Sequence, residues 1–283
     1  MDLLSARVRD LPLIFLDLET TGLNPEEGHE ILEFGAVKTV NGEEKAQIDT
    51  LIRPTKPIPP ESVKVHGITD LFVMGAPSFE MTAGDLLEFI GDGVVIAHNA
   101  PLDVGFLALA FEALGRPFPE NLVVDTVALA RNLLPSSPNH KLDTLKKMFD
   151  VTADRVHRAL DDSRALSKVF ARMLEQHFHS LDGGPTLNEV ASRAAPIFRF
   201  SDFAGGLPHR SPEHRALVRW ALRDKGELHV SYASPGRTVP EEFRVCPVEL
   251  IKGTPPVLKA LVRPKGEEIG LEMDRIRSLR RAV

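Results

Sequence analysis

The sequence predicts an α/β fold with a mixed sheet in its first two thirds, followed by a small β-barrel. Three observations carry this prediction. Residues 12–18, 31–40 and 44–52 read as three consecutive strands, and helix-like and strand-like segments then alternate, the order of a mixed α/β layer. Asp182-Gly183-Gly184-Pro185 marks the clearest boundary in the chain. Beyond it, a helical run precedes four short strand-like runs separated by Gly and Pro, the pattern of a small barrel. A length of 283 residues suits two modest domains. We place them at 1–180 and 212–283, joined by a linker with a short helix at 181–211.

Each element follows from its local signals. Asn41-Gly42 supplies the positive-φ residues of a tight hairpin between the second and third strands. Pro54 to Pro60 reads as an extended connector. Phe79 to Ile90 reads as a helix, 94–98 as a strand, 102–114 as a helix and 121–125 as a strand. The remainder to residue 178 is helical in short pieces, broken near Pro135-Ser136-Ser137-Pro138. Thr186 and Glu189 have the spacing of a capping box, which opens a short helix reaching about Ala195. Residues 201–212 form a second connector. In the last part, Pro212 to Lys225 is a helix, and 227–233, 242–250, 256–263 and 267–273 are strands.

Chemistry concentrates at the ends of these elements. Asp17-Leu18-Glu19-Thr20-Thr21-Gly22 closes the apolar run Pro12 to Leu18, and the period of a strand puts Asp17 and Glu19 on one face. Two carboxylates side by side at an apolar edge repel each other and lose hydration, a cost that a divalent cation between them removes. Alone, this short pattern equally fits a polar strand end. His98-Asn99-Ala100-Pro101-Leu102-Asp103 follows the buried run Val94 to Ala97 and opens a helix. His157-Arg158-Ala159-Leu160-Asp161-Asp162 precedes the amphipathic run Ala165 to Phe178. Strand ends and helix starts are the positions from which side chains converge on one cleft.

The order Asp-x-Glu, then Asp, then His-x4-Asp resembles the DEDDh exonucleases, the DnaQ-like group that includes proofreading subunits of bacterial replicative polymerases. Val65-His66-Gly67-Ile68-Thr69 and His140-Lys141-Leu142-Asp143-Thr144-Leu145 are similar to stretches that recur in that group, and the resemblance covers roughly residues 10 to 178. It implies a ribonuclease H-like fold and a metal-dependent 3′→5′ exonuclease that uses two divalent ions, Mg or Mn. By the same resemblance, Asp17, Glu19, Asp103 and Asp162 are the catalytic carboxylates and metal ligands, and His157 is the general base. Imidazole titrates near neutrality, which suits that role. Asp161 competes with Asp162; the spacing of the family selects Asp162 and leaves Asp161 to cap a helix or face water. A sister group uses tyrosine where this chain has His157, but the one tyrosine here, Tyr232, lies far outside the segment.

For nucleic-acid contact the candidates are Thr20, Thr21, Gly22, His66, His98, Asn99 and Phe106, with Arg215, Arg219 and Arg223 in the C-terminal part. His98 and Asn99 read first as a polar strand end satisfying nearby backbone, and His66 reads equally as a brace of the fold. Arg215, Arg219 and Arg223 recur at i, i+4 and i+8 on one helix, a solvated stripe or a ridge for phosphates. The expected partner is nucleic acid: single-stranded or frayed 3′ ends of DNA, with RNA as an alternative and a DNA polymerase or repair protein as a possible associate. A nucleic-acid-binding regulatory protein that no longer cuts is a further alternative, opposed by the full set of acidic residues.

Composition narrows the setting. The net charge of −6 divides into −11 for residues 1–182 and +5 for residues 183–283, so an acidic half is joined to one able to meet phosphates. One cysteine, Cys246, excludes an intramolecular disulfide and a cysteine-based zinc site. No run is long and apolar enough to span a membrane, the N-terminus lacks the form of a signal peptide, and we expect a cytoplasmic protein. Leu228-His229-Val230-Ser231-Tyr232, Cys246-Pro247-Val248-Glu249-Leu250 and Met273-Asp274-Arg275-Ile276 resemble a WYL domain, an Sm/SH3-like barrel of bacterial regulators. The chain departs from that family where Pro256-Val257-Leu258 replaces its Trp-Tyr-Leu and Ile269 stands in place of an arginine.

Overall fold

The computed structural model describes residues 3–117, 119–152, 158–179, 183–194, 197–203, 212–234, 239–251 and 255–282. The chain divides into two units, Met1–Ala204 and Gly205–Val283.

The first unit begins with β1 (Leu13–Thr20), β2 (Ile31–Val40) and β3 (Glu43–Leu51), an antiparallel meander. Asn41 and Gly42 take φ values of 55° and 75° at the hairpin, as the sequence predicts. The proline-rich stretch holds two short helices that periodicity does not reveal, α1 (Pro60–His66) and α2 (Asp70–Val73). Ile58, Ile68 and Val73 seat them on Leu32. Then come α3 (Phe79–Ile90), β4 (Val94–Ala97), α4 (Ala100–Ala113), β5 (Leu122–Asp125), α5 (Thr126–Leu133), α6 (Leu142–Met148) and α7 (Ala159–Phe178).

β4 and β5 add to β1 in parallel, giving the sheet order β3-β2-β1-β4-β5 with one further strand, β6 (Phe198–Arg199), beyond β5. The carboxyl ends of β1, β4 and β5 therefore point the same way, which makes that edge the meeting place for their following loops. α7 packs on β1 and β2, with Phe15 against Phe170 at a centroid separation of 5.6 Å in edge-to-face contact. The core there is continuous through Leu13, Val37, Leu166, Val169 and Met173.

Much of the stretch expected as a linker is built into this unit. Thr186 and Glu189 form the reciprocal capping box, with the Thr186 N–H donating to Glu189 Oε2 at 2.7 Å and the Glu189 N–H donating to Thr186 Oγ1 at 3.3 Å. The helix they start, α8 (Leu187–Ala194), lies on α5 through buried Leu187 and Val190. β6 then pairs antiparallel with β5. Apolar residues on one face of α8 account for the difference: a short helix with a buried stripe joins the nearest core rather than serving as a spacer.

The second unit consists of α9 (Pro212–Asp224), β7 (Leu228–Tyr232), β8 (Glu241–Ile251), β9 (Val257–Val262), β10 (Glu267–Glu272) and β11 (Ile276–Arg281). The four expected strands are present. A fifth, β11, lies over residues that the sequence reading left without an element. The closed barrel is a correction: the strands form an open antiparallel sheet, order β10-β9-β8-β7-β11, whose edge strands β10 and β11 do not pair with each other among the described residues. The turn Met273–Arg275 carries the chain from one edge to the other, and α9, packed on β8 and β11, covers apolar side chains that closure would otherwise have to bury. The arginine stripe is also corrected. Arg215 is fully buried, Arg219 is half-buried, and Arg223 is exposed with its Nε 2.9 Å from Asp224 Oδ1. The face of α9 that begins at Arg215 turns into the unit's interior, so the three arginines do not form one solvent-facing ridge.

Candidate functional site

The site grows from the end of β1. Asp17 and Glu19 share the face of Phe15, which is the face that α7 covers, so the first turn of α7 brings Asp162 to the same place. Oxygens of Asp17, Glu19 and Asp162 lie within 4.8 Å of one another. Asp162 is buried and Asp161 beside it is half-exposed, a consequence of the 100° step between successive residues on a helix. Asp103, in the first turn of α4, reaches back to β1, and its Oδ1 accepts the Leu18 N–H at 3.1 Å. His157 lies outside the described residues.

The electrostatics are those of a site short of positive charge. Burial pushes the Asp17 carboxyl well above the usual carboxylate range, and Asp103, Glu19, Asp162 and Glu33 push it further. Burial followed by Glu33, Asp162 and Asp103 raises Glu19 to about 8, against a smaller lowering by Arg158. Asp103 is raised to about 8, again first by burial, and the Leu18 N–H opposes the shift. An all-oxygen donor set whose members resist ionisation together fits a hard divalent cation such as Mg²⁺ or Mn²⁺. Asp17, Glu19 and Asp162 are the residues that would hold it, with Asp103 beside them.

The remaining candidates divide. Thr20 Oγ1 donates to the Gly22 carbonyl at 2.6 Å, and Thr21 Oγ1 accepts the Glu30 N–H at 2.8 Å, so both threonines tie down the turn after Glu19. A Cβ on Gly22 would lie 2.4 Å from the His29 ring, so a side chain there would require that ring to move. Phe106, one turn beyond Asp103 on α4, is buried and lines a cavity of about 420 Å³ with His29, Ile31, Ile52 and Arg53. His66 and His98 each make a local contact through Nδ1. His66 Nδ1 accepts the Ile68 N–H at 3.0 Å, whereas His98 Nδ1 sits 2.9 Å from Thr126 Oγ1, and burial lowers the His98 pKa to about 4. Asn99 adopts φ 70° at the turn into α4.

The exonuclease family RNase_T matches residues 14–170, more than half of the chain. The chain belongs to this exonuclease family. The DNA polymerase III subunit epsilon of Rickettsia conorii is 35% identical over 189 residues, which span 63% of this chain and 82% of that protein. The PolC-type DNA polymerase III of Halalkalibacterium halodurans is 37% identical over 166 residues, 59% of this chain but 12% of its own length, so the chain spans about an eighth of that relative. Among solved structures, the nuclease domain of 3′hExo, a DEDDh family member bound to rAMP, shares the fold with a TM-score of 0.52 and 21% identity, covering 61% of this chain and 96% of that one.

Motif reading passed over three residues that shape the site. Asp125, at the end of β5, accepts the N–H groups of Asn99 at 3.0 Å, Ala100 at 3.3 Å and Val127 at 3.0 Å through one oxygen, and so holds the turn that launches Asp103. Lys146 on α6 is buried, with its Nζ 3.2 Å from Asp162 Oδ1 and 2.8 Å from Asp143 Oδ1. Glu33, fully buried on β2, pairs with Arg158. An acid closing an apolar run was the visible signal for Asp125, and an acid interrupting one was the signal for Glu33. Lys146 carried no signal, since a lysine in a helix normally reads as solvated.

Proposed function

We propose that this protein is a metal-dependent 3′→5′ exonuclease that removes nucleotides from single-stranded or frayed 3′ ends of DNA. The observation that carries this proposal is the convergence of Asp17, Glu19 and Asp162 within 4.8 Å, with Asp103 behind them, in a chain of the exonuclease family. Bound divalent metal supplies charge neutralisation on the phosphate and an activated water. The chain's own residues do the rest. Asp17, Glu19, Asp103 and Asp162 would hold the metal, and the burial of Glu19, Asp103 and Asp162 would limit its shielding by bulk water. His157 takes the proton from the attacking water. Thr20 and Thr21 keep the turn beside Glu19 in one shape against the terminal nucleotide.

DNA is favoured because several relatives more than a third identical are named for DNA polymerase III, and a role linked to replication or repair is the natural setting. For the second unit we propose nucleic-acid contact through Arg277 and Arg280, which are exposed on β11 in the basic part of the chain.

The test uses one oligonucleotide, as DNA and as RNA, labelled at either end. With Mn²⁺ or Mg²⁺, the 5′-labelled strand should shorten stepwise while the 3′ label is lost at once, and EDTA should stop both. Internal cuts, or no loss with either metal, sink the proposal. Faster loss from RNA overturns the choice of DNA alone.

A further inference from the structure

We propose that Glu33 is a positioning residue for the metal site, clamping the first turn of α7 so that Asp162 meets Asp17 and Glu19. The inference rests on the nuclease reading above and adds to it a residue outside the DEDDh set.

Glu33 sits in the middle of the sheet with no exposed surface. A lone carboxylate there would be costly; the side chain of Asp49 on β3 hydrogen-bonds to it, and its other partners belong to the start of α7. Its Oε1 accepts Arg158 Nε at 2.9 Å and a second, shorter bond from Arg158 NH2, while Oε2 accepts the Ala159 backbone N–H at 3.1 Å. Ala159 is the first residue of α7, so the carboxylate also satisfies a helix-start N–H that has no intrahelical acceptor. Two residues along β2, Gly35 completes the clamp. A Cβ on Gly35 would lie 2.0 Å from the Leu160 nitrogen and 2.2 Å from the Ala159 carbonyl carbon, so glycine lets the helix start rest on the strand. Ser163 Oγ then donates to the Gly35 carbonyl at 2.8 Å. Arg158, Ala159, Leu160 and Ser163 are thereby fixed to β2 on both sides of Asp162.

The same strand position faces the site itself. Glu33 is the register partner of Glu19 on β1, where like charges directly opposite each other are unfavourable. A carboxylate at this place is therefore worse than a neutral residue for the empty sheet, but it adds pull on a cation held by Glu19. Arg158 offsets part of that charge from the side of α7. Geometry and charge thus act in one direction: loss of the Glu33 carboxylate misplaces Asp162 and weakens attraction for the metal.

Removing hydrogen-bonded supports of metal ligands typically weakens metal binding about 10–100-fold. The full chain carrying Glu33→Gln keeps an acceptor for the Ala159 N–H but loses the charge. Its Mn²⁺ affinity, measured by calorimetric titration, should fall about tenfold, and Glu33→Ala should fall further. Glu33→Gln combined with Arg158→Met removes both charges and guards against loss of fold. It should melt near the unaltered protein yet still bind Mn²⁺ more weakly. A role confined to stability would lower the melting temperature and leave Mn²⁺ affinity of the folded protein unchanged; that result in both variants overturns the inference alone. No Mn²⁺ binding by the unaltered chain overturns the nuclease reading, and this inference with it.

Discussion

The two units use charge in opposite ways. In the first, a mixed sheet gathers Asp17, Glu19 and Asp125 at the carboxyl ends of parallel β1 and β5, and α4 and α7 bring Asp103 and Asp162 to the same edge. In the second, an antiparallel sheet turns at alternate ends, and its arginines lie along strands or pair locally, as Arg244 and Arg263 both do with Glu227 at 2.7 and 3.1 Å. Parallel strands with returning connections bring distant residues to one edge, whereas hairpins send successive strand ends to opposite edges. The difference teaches that the acidic half concentrates unfavourable charge where a cation can relieve it, whereas the basic half, the interior Arg215 apart, spreads its charge over surface.

Experiments can break this contrast at several points. The largest expected effect is Asp17→Ala, which should reduce 3′ shortening of a labelled strand to background while leaving the circular dichroism spectrum unchanged. Undiminished cleavage would remove the first unit's carboxylates from the mechanism. His157→Ala should slow turnover about 10²–10⁴-fold, the usual cost of a lost general base; single-turnover rates over a pH series measure it. A pH dependence near neutrality that survives the substitution would point to another base.

The next effect is on stability. Glu19 and Asp103 hold protons up to about pH 8 in the fold, whereas unfolded carboxyls titrate near ~4. The folded chain therefore binds more protons, and the stability these groups contribute is full below pH ~4 and lost as pH rises through about 8. Mn²⁺ should raise the melting temperature more at pH 8 than at pH 6. An equal rise at both would mean that the carboxylates are already ionised without metal.

In the second unit the expected consequences are smaller and structural. Trp220, the one tryptophan in the chain, lies on α9 under Arg281, 5.2 Å from ring centroid to guanidinium, so its fluorescence follows this unit by itself. Arg215→Ala should destabilise the Trp220 transition in urea by about 2–5 kcal/mol, the range for emptying a large buried side chain, without altering cleavage of a dinucleotide. Arg223→Ala, at an exposed position paired with its neighbour Asp224, should shift the same transition by no more than about 0.5 kcal/mol. Equal effects for the two would contradict the burial that separates them.

Legibility differed between the units for a physical reason. The β2–β3 hairpin at Asn41-Gly42, the capping box at Thr186 and Glu189, and the long helices were readable, because turn geometry and capping depend on residues within four of each other. Short α1 and α2 were not, since their stability comes from docking on Leu32. On α9, i, i+4 spacing correctly put Arg215 and Arg219 near one face, but spacing carries no information on whether that face meets water or β-strands.

From the sequence by itself came the order of elements and the identity of the carboxylates, since strand period and motif spacing are local and survive without knowledge of packing. Only the tertiary structure decided that Glu33, Asp125 and Lys146 support the site, that the C-terminal sheet stays open, and that Arg215 is interior. Those outcomes depend on which surfaces come to face each other across the fold, over separations from 16 residues for Lys146 and Asp162 to 126 for Glu33 and Ala159. Burial then turns ordinary charges into groups that need a partner.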